Sequence, residues 1–297
     1  MDSSKLVTIM LSAYNHENFV QETIESIINQ TYQNIELLVI NDGSPDSTHE
    51  KIMQLYEKCK ERFTRFEYIN RENKGLIASI NELNAMAKGY YILGIASDDF
   101  CTKNRIKLQV KSLEENQDYG MCYGRMISVD KNSNIITSSR TTKYNKSGYL
   151  FNDLLFRNFI TAPTVMMKKS VLDEVGGFDA RFKIEDHPLW LKIAKKYKIY
   201  YLDEYLIYYR DHDSNISKNI SFMIEENEKM LNSYSDEPMY KKAIARHNLY
   251  CFIQLVKVNE KKLATKYMLK AFPNSWHHPK YLKGVIRYLL KKDSLAK

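Results

Sequence analysis

The chain has 297 residues, of which 44% are hydrophobic and 27% charged, and it contains only 10 glycines and 6 prolines. This composition excludes a disordered, collagen-like or repeat protein and allows one large α/β domain, with or without an appendage. The formal net charge of +8 is concentrated at the C-terminal end, where residues 239–297 carry 14 basic and two acidic side chains. We therefore expect that end to meet an acidic surface, either membrane lipid or nucleic acid.

The four cysteines, Cys59, Cys101, Cys122 and Cys251, lie far apart and show no Cys-x-x-Cys spacing. Neither a zinc site nor a disulfide framework is predicted, and a reducing compartment fits best. The apolar run after Lys5 is too short for a signal peptide, and no stretch approaches the ~20 apolar residues of a spanning helix. We expect a cytoplasmic protein whose membrane attachment, if any, is peripheral on the inner face of the cytoplasmic membrane.

Apolar spacing predicts a regular alternation of strands and helices in the first hundred residues. Strands are predicted at residues 7–11, 35–40, 66–69 and 91–96, and helices at 19–29, 52–59 and about 76–87. This order implies right-handed crossovers and a Rossmann-like, mostly parallel sheet with helices on both faces. In such sheets the ligand lies beyond the carboxyl ends of the strands, so residues there are the first candidates for function.

A pair of carboxylates ends the fourth of these strands, because the apolar run 91–96 is followed at once by Ser97-Asp98-Asp99. Adjacent carboxylates repel each other unless a cation lies beside them. Mg²⁺ or Mn²⁺ takes one or two carboxylates together with phosphate oxygens of a substrate. The alternative is that Asp98 and Asp99 only begin a loop and cap a helix predicted at residues 103–113.

The ends of the first two strands offer further candidates. The first strand is followed by Ser12-Ala13-Tyr14-Asn15, and no glycine-rich phosphate loop occurs there or elsewhere in the chain. A metal would then carry the phosphate charge in place of a glycine loop. Tyr14 could stack on a base and Asp42 could accept from an imide N–H; the alternatives are a turn tyrosine and an Asx-turn aspartate.

Five short motifs follow one another in the first hundred residues. They are Leu11-Ser12-Ala13-Tyr14-Asn15, Ser26-Ile27-Ile28-Asn29-Gln30-Thr31-Tyr32, Glu36-Leu37-Leu38-Val39-Ile40-Asn41-Asp42-Gly43-Ser44, Asn73-Lys74-Gly75 and Ser97-Asp98-Asp99. In this order they closely resemble the inverting family-two glycosyltransferases of the GT-A fold, of the bacterial surface-polysaccharide type. The resemblance covers about residues 5–217, and the segment 208–217 is similar to the closing motif of that family.

The resemblance implies a nucleotide-sugar donor bound through Mn²⁺ or Mg²⁺, and it implies roles for individual residues. The residues expected to contact the donor nucleotide are Ser12, Tyr14, Asn15, Asp42, Asn73, Gly75, Asp98 and Arg210. Among them, Tyr14 would pack on uracil, Asp42 would bond the base and Asp98 would meet the ribose. Asp99 would ligate the metal at the diphosphate.

The closing motif adds His212 and Arg210. A lone histidine is more often structural, but by the resemblance His212 would help to hold the metal or the diphosphate. Arg210 would act beside it as a charge clamp.

A second acidic pair, Glu185-Asp186, stands just before a predicted helix that includes Trp190. From the residues alone, such a pair is equally well explained as a helix cap that the helix dipole favours. In the family the second acid is the general base, which takes the proton of the acceptor hydroxyl. The resemblance therefore implies that Asp186 is catalytic and that Glu185 and Trp190 position the acceptor sugar.

The sequence departs from the family pattern at three points. Ala13 stands where many members have proline, Ile80 where many have a basic residue, and the metal motif lacks the commoner spaced aspartates. The first two changes affect the expected details of base packing and phosphate contact.

Three parts are predicted along the chain: a nucleotide-sugar half at 1–100, an acceptor half at 101–217 and a basic helical extension at 218–297. The acceptor half should contain a helix between 103 and 119, a strand at 120–129, a polar loop or hairpin at 130–146, and a strand and two short helices beyond it.

The helical extension carries two apolar stripes. Leu249, Phe252, Ile253 and Val256 form the first; Leu282, Val285, Ile286, Leu289 and Leu290 form the second, with Lys283, Arg287, Lys291 and Lys292 on its other sides. We expect the first to pack on the catalytic domain. The last helix would either pack likewise or lie on an anionic membrane surface.

The resemblance implies transfer of a hexose from a UDP-sugar, with inversion, to a saccharide acceptor. The acceptor would be carried on a polyprenyl diphosphate in O-antigen, capsule or related synthesis, and no nucleic-acid partner is expected. A metal-dependent nucleotidyltransferase is one alternative, but it should show a basic phosphate loop after the first strand. A non-catalytic sugar- or membrane-binding relative is another, but it should have lost an acid.

Overall fold

One eight-stranded sheet organises the first part of the protein in its computed structural model, which describes residues 4–136, 145–213 and 215–290. The strands are β1 (Val7–Ala13), β2 (Ile35–Asp42), β3 (Arg65–Arg71), β4 (Tyr91–Ala96), β5 (Phe100–Cys101), β6 (Tyr119–Val129), β7 (Met166–Lys168) and β8 (Lys198–Arg210). They lie in the order β3-β2-β1-β4-β7-β6-β8-β5. The pairs formed among β1 to β4 are parallel, whereas β7 is antiparallel to both neighbours.

Helices alternate with the first four strands and dominate the C-terminal region. They are α1 (Val20–Ile28), α2 (Thr48–Met53), α3 (Tyr56–Arg62), α4 (Leu76–Met86), α5 (Arg105–Glu115), α6 (Phe151–Phe156), α7 (Lys169–Glu174), α8 (Asp186–Ala194), α9 (Ile220–Asn232), α10 (Tyr240–Lys257), α11 (Lys261–Ser275) and α12 (Pro279–Leu290), with short 3-10 helices at Ala162–Thr164 and Ile216–Lys218. The predicted α/β class, with a Rossmann-like first half and a helical C-terminal region, is confirmed.

The parallel strands bring their carboxyl ends to one edge of the sheet. In the register of β1 with its two neighbours, Ala13 lies opposite Asn41 and Ser12 lies opposite Ala96. β2 is buried along its whole length, which explains why its middle, residues 37–40, is apolar without alternation. Because β1 lies between β2 and β4, the segments that follow these three strands are neighbours.

The structure differs from the sequence prediction in several elements. The single helix expected at 52–59 is two helices, α2 and α3. The longest strand, β8, and the short β5 were not predicted. The β8 sequence, rich in tyrosine and charged residues, shows no period of two, and its strand state comes from pairing with β6 over most of its length. In the polar segment, Val129 bridges Ile135, and residues 137–144 lie outside the described part of the chain.

The described chain divides into two compact units. One contains the sheet and comprises the chain up to Phe151 together with Phe159–His212; the other comprises Asn152–Asn158 and the chain from Asp213 onward. The predicted boundary at residue 217 and the division into nucleotide and acceptor halves remain predictions. Among the described residues, no helix is long and apolar enough to span a membrane.

The second unit has its own apolar core, formed by α9 to α12. Phe252, Leu255 and Tyr267 are buried there, and Leu249 packs against them. The first stripe predicted for the extension therefore packs within its own unit.

A buried carboxylate links the amino-terminal ends of the parallel strands β1, β2 and β3. Glu36 of β2 is fully buried and accepts hydrogen bonds from the Thr8 hydroxyl at 2.5 Å and the Lys88 N–H at 2.8 Å, and it pairs with Arg65 of β3. The N–H of Gly89 donates to Thr8 Oγ1 at 2.9 Å. A Cβ at Gly89 would lie only 2.5 Å from the Thr8 nitrogen, so this approach requires glycine.

We expect Glu36→Ala to lower the free energy of unfolding by about 3 kcal/mol or more, because it leaves the buried Thr8 hydroxyl and the Lys88 N–H without their carboxylate acceptor and removes the buried ion-pair partner of Arg65. Glu67→Ala is the matched control, since Glu67 also lies beside Arg65, at 3.4 Å, but is exposed. Its effect should stay within about 0.5 kcal/mol. Urea unfolding followed by circular dichroism measures both variants; equal losses would contradict a structural role for the Glu36 network.

Candidate active site

Two histidines and one aspartate lie together at the strand ends. His16 follows β1, Asp98 follows β4 and His212 follows β8. The His212 Nε2 atom lies 2.9 Å from Asp98 Oδ2, and His16 Nε2 lies 3.9 Å from the same oxygen. One ligand atom from each residue lies within 4.8 Å of the other two, and we call this the His16–Asp98–His212 cluster.

The cluster is oriented by neighbouring groups. His16 Nδ1 lies 2.7 Å from the Ser97 hydroxyl, so this contact holds the ring with Nε2 toward Asp98. The backbone N–H of His16 donates to Thr48 Oγ1 at 2.9 Å, which fixes the loop after β1. The His212 ring stacks on Phe19, with 5.1 Å between ring centroids.

His16 was not among the predicted site residues, although the sequence carried a signal for it. It stands four residues after Ser12, which lies opposite Ala96 in the register of β1 and β4. A polar residue soon after β1 should therefore come close to the carboxylates that follow β4.

The electrostatics of the cluster favour an ionised Asp98 and a neutral His16. Burial acts to raise the pKa of Asp98, but the hydrogen bond from His212 and the charges of His16 and His212 outweigh it and lower that pKa. Burial lowers the pKa of His16 despite the opposing effect of Asp98. A neutral imidazole nitrogen and a carboxylate oxygen are both metal-ligand atoms.

Asp99 has a different environment from Asp98, and its predicted role as the metal ligand does not fit the geometry. Its carboxylate is 1% exposed and accepts the backbone N–H of Arg210 at 2.9 Å. Burial, together with the Asp98 charge, raises the pKa of Asp99 well above its usual range. The carboxylate that lies with the histidines is that of Asp98, which had been expected to meet the ribose.

Arg210 is a buried structural residue, so the predicted contact with the diphosphate does not fit its position either. Its side chain is 1% exposed, and Nε donates to the Asp98 carbonyl at 2.8 Å. Nη2 pairs with Glu22, and Nη1 donates to Ser133 Oγ at 3.0 Å. The guanidinium also lies 4.7 Å from the Phe19 ring centroid.

Asp42, at the end of β2, holds the loop that contains Asn73 and Gly75. Its two carboxylate oxygens accept the backbone N–H groups of Lys74 and Gly75, each at 2.9 Å, and it pairs with Arg71. Gly75 has φ +87°, a conformation that favours glycine, and its N–H is also 3.0 Å from Asn73 Oδ1. The structure thus joins Asp42, Asn73 and Gly75, as expected of one binding region, although Asp42 already has three partners.

The loop after β1 presents Tyr14 to solvent. Tyr14 is 49% exposed, whereas Ser12 lies within β1. Asn15 has φ +58°, and its N–H donates to Ser44 Oγ at 3.0 Å, which links this loop to the loop after β2. An exposed ring on a fixed loop can stack on a base, and this role of Tyr14 remains a prediction.

The second acidic pair stands at the start of α8, with Asp186 as the first helical residue and Glu185 as the N-cap. Burial, and then the Asp186 charge, raise the pKa of Glu185 to about 7. Trp190 is only 3% exposed, so it could take its predicted part in positioning the acceptor sugar only from within the core. Its indole nitrogen is buried without a hydrogen-bond partner among the described residues.

The cluster fits a divalent cation. Two imidazole nitrogens and one carboxylate oxygen form a mixed set of nitrogen and oxygen donors, close enough together to share one ion. The set leaves coordination positions for phosphate oxygens of a substrate. Imidazole ligands suit transition metals better than Mg²⁺, which prefers oxygen.

The open mixed sheet, with polar side chains gathered at its strand ends, can be compared with known proteins. The model for "Glycosyl transferase family 2" matches residues 8–176, and the chain belongs to this family.

Two curated relatives illustrate the similarity. An uncharacterized glycosyltransferase of Methanocaldococcus jannaschii is 28% identical over 221 residues, covering 72% of this chain and 74% of that protein. The Escherichia coli UDP-Glc:alpha-D-GlcNAc-diphosphoundecaprenol beta-1,3-glucosyltransferase WfgD is 27% identical over 266 residues, covering 88% and 96%.

A solved structure shares the fold. The mannosyltransferase PcManGT from Pyrobaculum calidifontis, in complex with GDP-Man and Mn²⁺, superposes with a TM-score of 0.61 at 13% identity. The similarity covers 96% of this chain and 84% of that one.

We expect Asp98→Asn to weaken Mn²⁺ binding in the presence of UDP by about 100-fold or more, because it removes the charged ligand of the cluster. Asp99→Asn is the matched control, since an amide oxygen can still accept the Arg210 N–H. Its Mn²⁺ affinity should stay within a few fold of the unmodified protein. Electron paramagnetic resonance of free Mn²⁺ measures the affinity of both variants. A large loss of Mn²⁺ affinity in Asp99→Asn, with none in Asp98→Asn, would show that Asp99 is the metal ligand.

Proposed function

We propose that the protein transfers a hexose from a UDP-sugar to a saccharide acceptor with inversion at the anomeric carbon. The observation that carries the proposal is the His16–Asp98–His212 cluster at the strand ends of a family-two GT-A sheet. The loops of Tyr14 and Asp42 lie at the same edge of the sheet and can receive a nucleotide. A UDP donor is supported by the printed name of the E. coli relative.

A divalent cation, Mn²⁺ in preference to Mg²⁺, is proposed at the cluster. His16, Asp98 and His212 would hold it, and the Mn²⁺ complex of the archaeal mannosyltransferase supports this choice. When bound, such a cation neutralises charge that develops on a departing diphosphate. Asp99 would stabilise the site by accepting the backbone N–H of Arg210.

Asp186 is proposed as the general base. It is the first residue of α8. As the acceptor oxygen bonds to the anomeric carbon, the bond from that carbon to the diphosphate breaks and UDP leaves with the electron pair. The proton of the acceptor hydroxyl passes to the Asp186 carboxylate. Glu185 would position the acceptor, and Trp190 would support this turn from the core.

The acceptor is proposed to be a saccharide on a polyprenyl diphosphate, used in O-antigen, capsule or related polysaccharide synthesis. The name of the E. coli relative, which specifies a diphosphoundecaprenol acceptor, supports this class. The protein would then work as a peripheral protein at the inner face of the cytoplasmic membrane, where such an acceptor is held.

A panel of nucleotide sugars, with and without Mn²⁺, tests the reaction type. We expect one UDP-sugar to release UDP and free hexose slowly in water, and faster transfer when a suitable acceptor is present. Release of pyrophosphate from UTP and a sugar phosphate would instead indicate a nucleotidyltransferase. Binding of the donor with no turnover would indicate a non-catalytic relative.

Changing Asp186 to Asn should separate binding from chemistry. The amide keeps the size of the side chain but removes the proton acceptor, so transfer should fall by about 10²-fold to 10⁴-fold while donor affinity is retained. Asp173→Asn, on the exposed side of α7, is the matched control and should leave both unchanged. Calorimetry with UDP and a transfer assay give the two quantities; lost UDP binding with a normal residual rate would assign Asp186 to the nucleotide site.

A further inference from the structure

Seven apolar side chains on α11, on its C-cap residue and on α12 are half or more exposed. Six of them form what we call the apolar strip: Leu269 (65%), Phe272 (56%) and the C-cap residue Trp276 (58%), and on α12 Leu282 (50%), Ile286 (57%) and Leu289 (73%). The seventh is Leu290 (76%). The spacings within the strip, i, i+3, i+7 and i, i+4, i+7, give each trio one helix face. The two helices are neighbours, since the Phe272 ring lies 6.4 Å from that of Tyr281 of α12.

The strip is not part of the core of the helical unit. The opposite faces of the same helices bury Ala264, Tyr267 and Ala271 of α11 and Tyr281 of α12. Gly284 packs so closely that a Cβ there would lie 2.7 Å from the Phe252 ring. Since α12 is fixed to the core by this face, the predicted stripe of the last helix is turned outward, with only Val285 partly buried.

The surroundings of the strip are basic. Between Lys261 and Leu290 the sequence has seven lysines and arginines and no acidic residue. An open groove on α12 is lined by Lys283, Arg287, Ile286 and Leu290, so basic and apolar side chains share one surface. Lys291 and Lys292, which were predicted to add to this charge, lie outside the described residues.

We propose that the apolar strip inserts into the headgroup region of an anionic lipid membrane, with Lys283 and Arg287 on the lipid headgroups. A basic amphipathic helix with exposed leucine and tryptophan has the chemistry of an interfacial membrane element. A second copy of the chain would bring seven further positive charges against these, which disfavours self-association. The inference rests on the proposed function in one respect: an acceptor held in the membrane is the reason for the protein to bind there.

Sedimentation with vesicles tests the charge requirement. The protein should bind vesicles of phosphatidylcholine with 30% phosphatidylglycerol at low salt, and it should bind pure phosphatidylcholine much less. Lys283→Gln with Arg287→Gln should weaken binding by about 25-fold, from roughly fivefold for each charge near the surface. Lys241→Gln with Lys242→Gln, exposed at the start of α10, is the matched control and should change binding by less than about twofold.

The apolar strip is tested by Leu282→Ser with Ile286→Ser, which should weaken vesicle binding by on the order of tenfold or more. Tyr250→Ser with Val258→Ser removes apolar side chains of similar exposure, 53% and 47%, and should have little effect. Fluorescence adds a direct readout, because the chain has two tryptophans and Trp190 is buried. Anionic vesicles should shift the emission of Trp276 to the blue, and Trp276→Phe should abolish the shift.

Three outcomes would overturn the proposal: no binding of the unmodified protein to anionic vesicles at low salt, equal losses in strip and control variants, or a concentration-dependent dimer that the strip variants abolish. Circular dichroism shows whether each variant is folded. Release of UDP from the donor without vesicles reports on the active site separately. A failed vesicle test with normal donor turnover would remove only the membrane inference, whereas vesicle binding without turnover would remove only the proposed function.

Discussion

The buried guanidinium of Arg210 is the interaction on which the active site depends. It lies at the end of β8, two residues before His212, and reaches the Asp98 carbonyl, Glu22 and Ser133, while its backbone N–H binds Asp99. A buried charge of this kind is tolerated only when its donors have partners. By satisfying Arg210, the fold fixes the carboxylate that follows β4 beside the histidine that follows β8.

The order of the strands supplies the rest of the constraint. Because β1 lies between β2 and β4, the loops that begin at Tyr14, Asp42 and Asp98 meet at one edge of the sheet. Side chains link these loops directly: Asn15 to Ser44 through its N–H, and His16 to Ser97 through its ring. A nucleotide diphosphate could therefore be received by groups that are already positioned, which lowers the ordering cost of binding.

Sequence reasoning predicted the strand-end location of the site, because apolar runs that end in polar residues reveal strand ends without knowledge of side-chain direction. It could not distinguish Asp98 from Asp99, since the two residues are identical neighbours and only the backbone turn decides which carboxylate lies beside the histidines. It also misjudged Arg210, because a charged residue in a motif is expected at the surface until its partners, Glu22 and Ser133, are known. For β8, pairing with β6 outweighs an uninformative local pattern.

The most direct test of the account is anomalous diffraction at the manganese edge from crystals grown with Mn²⁺ and UDP. The account predicts one strong peak in direct contact with the Asp98 carboxylate and His212 Nε2, beside the diphosphate of UDP. A peak coordinated by Asp99, or UDP bound at the strand ends with no metal at the His16–Asp98–His212 cluster, would contradict it.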